Sequence, residues 1–345
     1  MGRLLRDNTI PTVEQLQELY EAAAVFKREQ PWEFLFDSDI ICVENPKDKM
    51  VGYCSVMGMG GEHYALGVYL GENGFSKFCQ LLEQGDTIPH HQLLHYQNCL
   101  MCSFEDRDLL TNQDRKQIKD LGLSFRGKNA WPLLRRYEPG YPPGYINEDE
   151  CAFLTHALRE TLLVVGQLMT GQLEMDMAYG RTIKRYSVEK NGRLEWYSKE
   201  MQLMVPKVVY RPLIISDDVL FQQIKRAGSM RDVSLQVDTC YFPSIVQENK
   251  AERPYFPRIF VLAEALSGML LDCETFENIS DDANVTINRL IDICLEKGVP
   301  QEIQVRGEAM EAILEDFCKK AGIKLKVVKR LPAIDSFMRE MEEGL

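Results

Sequence analysis

The sequence predicts an α+β fold divided between two domains. Three observations carry that expectation: short β-rich segments punctuated by glycine, helices opened by capping-box spacings, and a C-terminal stretch in which three strands precede alternating helices and strands. With 345 residues, 45% of them hydrophobic, the chain can bury two cores of ordinary size.

The first helix is expected over residues 13–27. Thr12 and Gln15 have capping-box spacing, Pro11 precedes them, and Leu16, Leu19, Tyr20 and Ala23 share a face. Strands are expected at 40–43, 51–57 and 64–70, with Gly58, Gly60 and Gly61 supplying the turn between the last two, which predicts an antiparallel sheet. A short helix over 75–83, a strand over 99–104 and a helix over 113–121, stopped by Gly122, follow. Residues 135–145, crowded with proline, glycine and tyrosine, read as a loop. Asn147 and Glu150 repeat the capping-box spacing before a long helix to about residue 169. Asn191 and Gly192 separate two β-rich runs and fit a type I′ hairpin turn.

The chain changes character around Pro206 and Pro212, which sets the expected domains at 1–213 and 214–345. In the second, Ser216 opens a helix to about residue 227, and strands follow at 233–240, 258–264 and 269–275. A helix begins near Asp281 and Asp282, whose carboxylates suit its positive end, and stops at Gly298. A strand over 302–306, a helix over 308–321 and a strand over 323–328 are too closely spaced for anything but a crossover, so those two strands are expected to be parallel. A helix over 333–343 closes the chain.

Charge narrows the function classes. Lysine and arginine number 40 against 52 aspartates and glutamates, a formal charge of −12. That balance disfavours nucleic acid and anionic membrane as partners, because both are held by cationic side chains. The first twelve residues contain no apolar stretch of signal-peptide length, and no apolar run approaches the roughly 20 residues of a membrane helix, so a cytoplasmic location is expected. The ten cysteines lack the density and spacing of a disulfide framework and read as reduced, mostly buried thiols.

Few local patterns carry chemistry. His90, His91, His95, Cys99 and Cys102 form the densest set of metal-ligand residue types. His91, His95 and Cys99 would share a face only on a continuous helix, and the segment holding Cys99 and Cys102 reads as a strand, where residues three apart point to opposite faces. No metal site is therefore expected. Gly71 and Gly74 match neither a Walker loop nor a dinucleotide fingerprint, and no nucleophile elbow or zincin motif occurs, so no cofactor is expected. Lys319, Lys320, Lys324, Lys326, Lys329 and Arg330 cluster, but Lys324 and Lys326 alternate with Leu325 and Val327 as on the wet face of an edge strand. Arg126, Arg136, Tyr137 and Tyr141, in or near the Pro/Tyr-rich segment, are the expected binding residues, for an extended protein segment or a small anionic ligand.

Two resemblances add to this reading. LQVD at 235–238, VLAEALSG at 261–268 and CKKAGI at 318–323, set in the predicted strand order, resemble the ribonuclease H-like fold of nucleases and integrases. That resemblance implies a mixed α/β C-terminal domain with carboxylates converging on divalent metal. Asp238 matches the first acid. The position expected for the second holds Arg306 and Gly307, with Glu308 two residues late, so Glu264 or Asp335 would have to substitute. The departure favours a non-catalytic interaction or ligand-binding protein, most clearly if Arg306 pairs with Asp238. The alternative is a divergent Mg²⁺-dependent nuclease using Asp238, Glu264, Glu308 and Asp335. Over its whole length the chain also resembles an uncharacterised family of bacterial two-domain cytoplasmic proteins, through PWE at 31–33, YCSVMGMGGEHY at 53–64, GLSFRG at 122–127, PGY at 139–141 and RPYFP at 253–257. That resemblance implies architecture and location, and no reaction.

Overall fold

The computed structural model describes residues 9–249 and 252–344, without the side chain of Arg231. Most of the N-terminal segment read above for a leader lies outside the described residues. The chain forms two compact units. One comprises the chain up to Leu82, Tyr96–Pro139 and Pro143–Lys207; the other takes Glu83–His95, Gly140–Pro142 and Val208 onward. Among the described residues no helix is long and apolar enough to cross a membrane.

The first unit opens with α1 (Val13–Glu29), whose capping box joins Thr12 and Gln15 as their spacing predicts. Strands β1 (Ile41–Glu44), β2 (Val51–Met57) and β3 (Ala65–Leu70) form a meander, followed by α2 (Gly71–Gln84) and β4 (Cys99–Glu105). A third capping box, Thr111 with Asp114, starts α3 (Asn112–Asp120). Next come β5 (Trp131–Tyr137), α4 (Glu148–Met169), capped by Asn147 and Glu150, and the hairpin of β6 (Arg181–Lys190) and β7 (Arg193–Gln202). Asn191 and Gly192 both have positive φ, at 53° and 74°, as a type I′ turn requires.

These strands make one seven-stranded sheet in the order β5-β4-β3-β2-β1-β6-β7. Helices α1 and α4 pack together over one face, where Leu19, Phe26, Phe153 and Leu158 meet Val43, Val56, Leu66 and Leu100. Phe75 and Phe78 of α2 meet Cys42, Tyr53, Tyr69 and Cys99 on the other face.

Two features depart from expectation. The sheet is not wholly antiparallel: β1 and β6 pair in parallel, Cys42 beside Lys184, a contact between segments too far apart in the chain for local patterning to announce it. Residues 135–137 also belong to strand β5 rather than to a loop. Pro132, Leu134 and Arg136 are buried while their neighbours are half-buried, so the strand alternates with an arginine on its buried face.

The second unit contains α5 (Asp218–Arg226), β8 (Ser229–Tyr241), β9 (Arg258–Glu264), β10 (Leu270–Phe276), α6 (Asp282–Lys297), β11 (Val299–Arg306), α7 (Gly307–Ala321), β12 (Lys324–Val328) and α8 (Pro332–Glu343). Asp217, not Ser216, accepts the capping hydrogen bond of α5, from Leu220 N–H. The sheet order is β10-β9-β8-β11-β12, antiparallel on the β9 and β10 side and parallel from β8 through β11 to β12. Leu235, Val237, Phe260 and Leu262 face α5, α6 and α7, while Cys240, Val261 and Ala263 face Ile334 and Met338 of α8. The unit is thus a mixed sheet with helices on both faces.

Candidate functional site

Alternation along β8 puts Gln236, Asp238 and Cys240 on the face that α8 covers. The parallel register with β11 sets Val237 beside Val305, which brings Arg306 to the C-terminal end of β8 on the same side. Glycine follows at 307 with φ of +75°, turning the chain into α7 and leaving the Arg306 side chain directed back over the sheet. Helix α8 is pinned by its own first turn: Asp335 Oδ2 accepts from Leu331 N–H at 3.2 Å, and Ala333 N–H donates to Gln236 Oε1 at 2.9 Å.

Three charges meet there. Arg306 Nε donates to Asp238 Oδ2 at 3.2 Å, and Arg306 Nη2 lies 3.1 Å from the same oxygen and 2.6 Å from Asp335 Oδ1. All three side chains are largely buried. Burial pushes the Asp238 carboxyl above the usual aspartate value; Arg306 and Arg258 offset part of that rise, and Asp335 adds to it. For Arg306 burial opposes the charge, but the two aspartates outweigh it and hold the guanidinium above the ordinary arginine range. A cation is therefore already supplied by the chain itself between the two carboxylates. Across the sheet, Arg258 makes a bidentate pair with Asp282, at 2.9 and 2.6 Å, and donates to the Thr239 carbonyl at 2.9 Å.

The other two acids go elsewhere. Glu264 pairs in register with Leu235, three residues from the position opposite Asp238, so it lies about 10 Å along the strand and on the other face. Its carboxylate accepts from the Ser267 hydroxyl. Glu308 is exposed in the first turn of α7. Of the four acids that the nuclease reading invokes, only Asp238 and Asp335 converge, and they converge on an arginine.

The histidines form a different arrangement. Residues 90–96 are a 3₁₀ helix that ends before β4, so His91, His95 and Cys99 do not lie on one continuous helix. Its Gln92 clamps the backbone of Tyr241, donating to the carbonyl at 2.8 Å and accepting from the N–H at 3.1 Å. The His95 ring lies 4.0 Å from that of Tyr241 and edge-on to Phe256, and its Nδ1 accepts from Gly140 N–H at 3.2 Å. Gly140 has φ of +84°, and a β-carbon there would come within 3.0 Å of the Tyr241 ring, so only glycine fits. His91 is half-buried with Nε2 unpartnered, and burial lowers its pKa. His90 is exposed, 3.9 Å from Glu342. Cys99 and Cys102 are buried on opposite faces of β4, in separate apolar clusters. Among the described residues no group of three or more His, Cys, Asp or Glu is placed to hold a metal ion.

The residues expected to bind a ligand are dispersed. Arg126 is exposed. Arg136 turns inward, giving Nη2 to Asn98 Oδ1 at 2.6 Å and Nη1 to the Cys99 carbonyl at 3.2 Å, with Glu150 3.4 Å from Nε. Tyr137 packs beside Tyr69 and Cys99, where burial raises its pKa. Tyr141 lies under the Arg253 guanidinium at 3.8 Å. Tyr145 is held by Thr111, at 2.9 Å, and by Arg135 above its ring. In the basic cluster, Lys320 is engaged by Asp316 and the Ile215 carbonyl and Lys324 by Glu302, which leaves a partly neutralised edge on β12.

Sequence reasoning missed one arrangement. Arg107, Arg115, Lys116 and Lys119 line a cleft of about 450 Å³ beside Trp131 in the first unit. Its only local trace is the i, i+1, i+4 spacing of the last three cations on α3.

Residues 17–185 match the family model of a domain of unknown function, DUF7309, and residues 220–342 match that of a second, DUF6930. Both descriptions are silent on activity. No curated protein matches the chain.

Proposed function

We propose that the protein binds rather than cuts: a two-domain interaction or ligand-binding protein whose C-terminal domain, residues 214–345, is a ribonuclease H-like scaffold without a working metal site. The scaffold reading is supported by the sheet order β10-β9-β8-β11-β12, with its antiparallel half and its parallel half, and by Asp238 on the central strand.

The loss of catalysis rests on one observation, the 2.6 Å contact of Arg306 Nη2 with Asp335 Oδ1 while the same guanidinium binds Asp238. Phosphoryl transfer on two metal ions needs several open carboxylate oxygens around one point. Here the carboxylates that meet already share a fixed positive charge, and a divalent cation would be repelled by it. Glu264 and Glu308, which could add oxygens, are on the wrong face or outside the cluster.

Cleavage assays on single-stranded DNA, single-stranded RNA and an RNA–DNA hybrid, with Mg²⁺ or Mn²⁺, test the reading. No turnover above a buffer control is expected from the purified chain. Cleavage that disappears in Asp238→Asn would overturn the proposal and favour the divergent nuclease.

A further inference from the structure

The cleft beside Trp131 is unlike the rest of this acidic chain. Helix α3 contributes Arg115, Lys116 and Lys119, and the turn before it contributes Arg107; no aspartate or glutamate lines the cavity. The acid that α3 carries in its first turn, Asp114, faces the opposite way, into a bidentate pair with Arg135 at 2.9 and 2.6 Å. Asp106, Asp108 and Asp120 flank the cations in the chain, and none of them lines the cavity: Asp106 accepts from Asn129 N–H at 2.7 Å, and Asp108 and Asp120 are exposed.

Among the described residues none of the four cations forms an ion pair. Arg115 donates to Asn112 Oδ1 at 2.7 Å and to the Arg107 carbonyl at 3.4 Å. Arg107 lies over the Trp131 ring at 5.8 Å. The guanidinium groups are thus oriented by neutral partners while their charge stays unspent. Buried Ile118 and half-buried Leu123 supply an apolar lining, and Trp131 is braced edge-on by Phe125.

We propose that this cleft binds a small phosphorylated metabolite, its phosphate oxygens taken by Arg107, Arg115, Lys116 and Lys119. Guanidinium and ammonium donors form their strongest hydrogen bonds to such oxygens, and arginine matches them two at a time. The cleft falls within the size range of small-molecule sites. A small ligand suits it better than a nucleic acid backbone, since a concave site reached through a chain of net charge −12 repels an extended polyanion. The inference names a site for the binding function proposed above, yet it stands on the first unit alone. Metal-dependent cleavage by Asp238 would end that proposal and leave this one intact; loss of phosphate binding would do the reverse.

The test is titration of the full chain at low salt with pyrophosphate, ADP and a sugar phosphate, followed by calorimetry and by tryptophan fluorescence. Saturable binding is expected, weakened at least about tenfold in Lys116→Glu/Lys119→Glu, unchanged in Lys326→Glu, and reduced by added salt. Both lysines are exposed, so the double variant keeps its fold. Equal affinity for pyrophosphate and ADP would mean recognition of phosphate alone. A preference for ADP with a fluorescence change lost in Trp131→Phe would add a stacked ring. Binding of none of the probes, insensitivity to the double variant, or tighter binding of a single-stranded RNA than of any small probe would overturn the proposal.

Discussion

Arg306, at the end of β11, donates to Asp335 of α8 at 2.6 Å while its Nε reaches Asp238 of β8 at 3.2 Å. One side chain therefore links the central strand, its parallel neighbour and the closing helix.

Removing that side chain should cost more than its contacts suggest. Arg306→Ala leaves Asp238 buried against Asp335 without the cation between them, and a buried pair broken on one side costs about 3 kcal/mol. Urea unfolding should show that loss, whereas Arg306→Met combined with Asp238→Leu should lose much less than the two single changes together. Additive losses would mean that the two groups are not coupled.

Two buried pairs in the first unit should respond to pH with opposite sign. Burial opposes the Asp114 charge, but hydrogen bonds from Arg135 and Thr111 and the Arg135 charge prevail and leave its pKa below the ordinary 3.8. Its contribution is full above 3.8 and is lost as pH falls through the lowered folded value. Glu160 is the reverse: burial raises it above 4.5, and Arg185, 2.6 Å away, only offsets part of that. Its contribution is full below 4.5 and is lost as pH rises through the raised folded value. Urea midpoints measured across pH 2–7 should therefore fall less steeply in acid for Asp114→Asn, and decline less above pH 4.5 for Glu160→Gln, than for the parent chain.

The thiols should divide sharply in reactivity. All ten cysteines are free, eight are buried, Cys79 is half-buried and Cys273 is exposed. Burial pushes Cys54, Cys99 and Cys294 up to about 12, so little thiolate exists at neutral pH. Alkylation of the native protein followed by mass spectrometry should mark Cys273 first and Cys79 more slowly. Rapid labelling of Cys99 would contradict the packing described.

Gly74 should be irreplaceable where Gly60 is not. A β-carbon at Gly74 would sit 2.7 Å from the Asn98 carbonyl oxygen, a backbone atom that cannot swing away, while nothing lies within 4 Å at Gly60. Gly74→Ala should lower stability by about 1–3 kcal/mol and Gly60→Ala by little, as thermal or urea unfolding would report. Gly74, which fits no phosphate-loop fingerprint in the sequence, thus serves close packing.

What could be read from the sequence was local. The Thr12–Gln15 and Asn147–Glu150 caps, the Asn191-Gly192 turn and the strand and helix order of the second unit all depend on residues a few positions apart, where side chain and backbone speak directly to each other. Strand β5 was hidden because its buried face carries Pro132 and Arg136, which local patterning reads as loop residues. The parallel pairing of β1 with β6 and the convergence of Arg107 with Lys116, Lys119 and Trp131 are products of tertiary folding. Arg306 lies between these cases: its place at the end of the fourth strand of the second unit was legible, but its hold on Asp335 needed α8 to dock.

The most direct test of the central claim is a calorimetric titration of the full chain with Mn²⁺. The account predicts no saturable heat, because Arg306 holds the charge that a divalent ion would need to displace. Stoichiometric binding that vanishes in Asp238→Asn would contradict it.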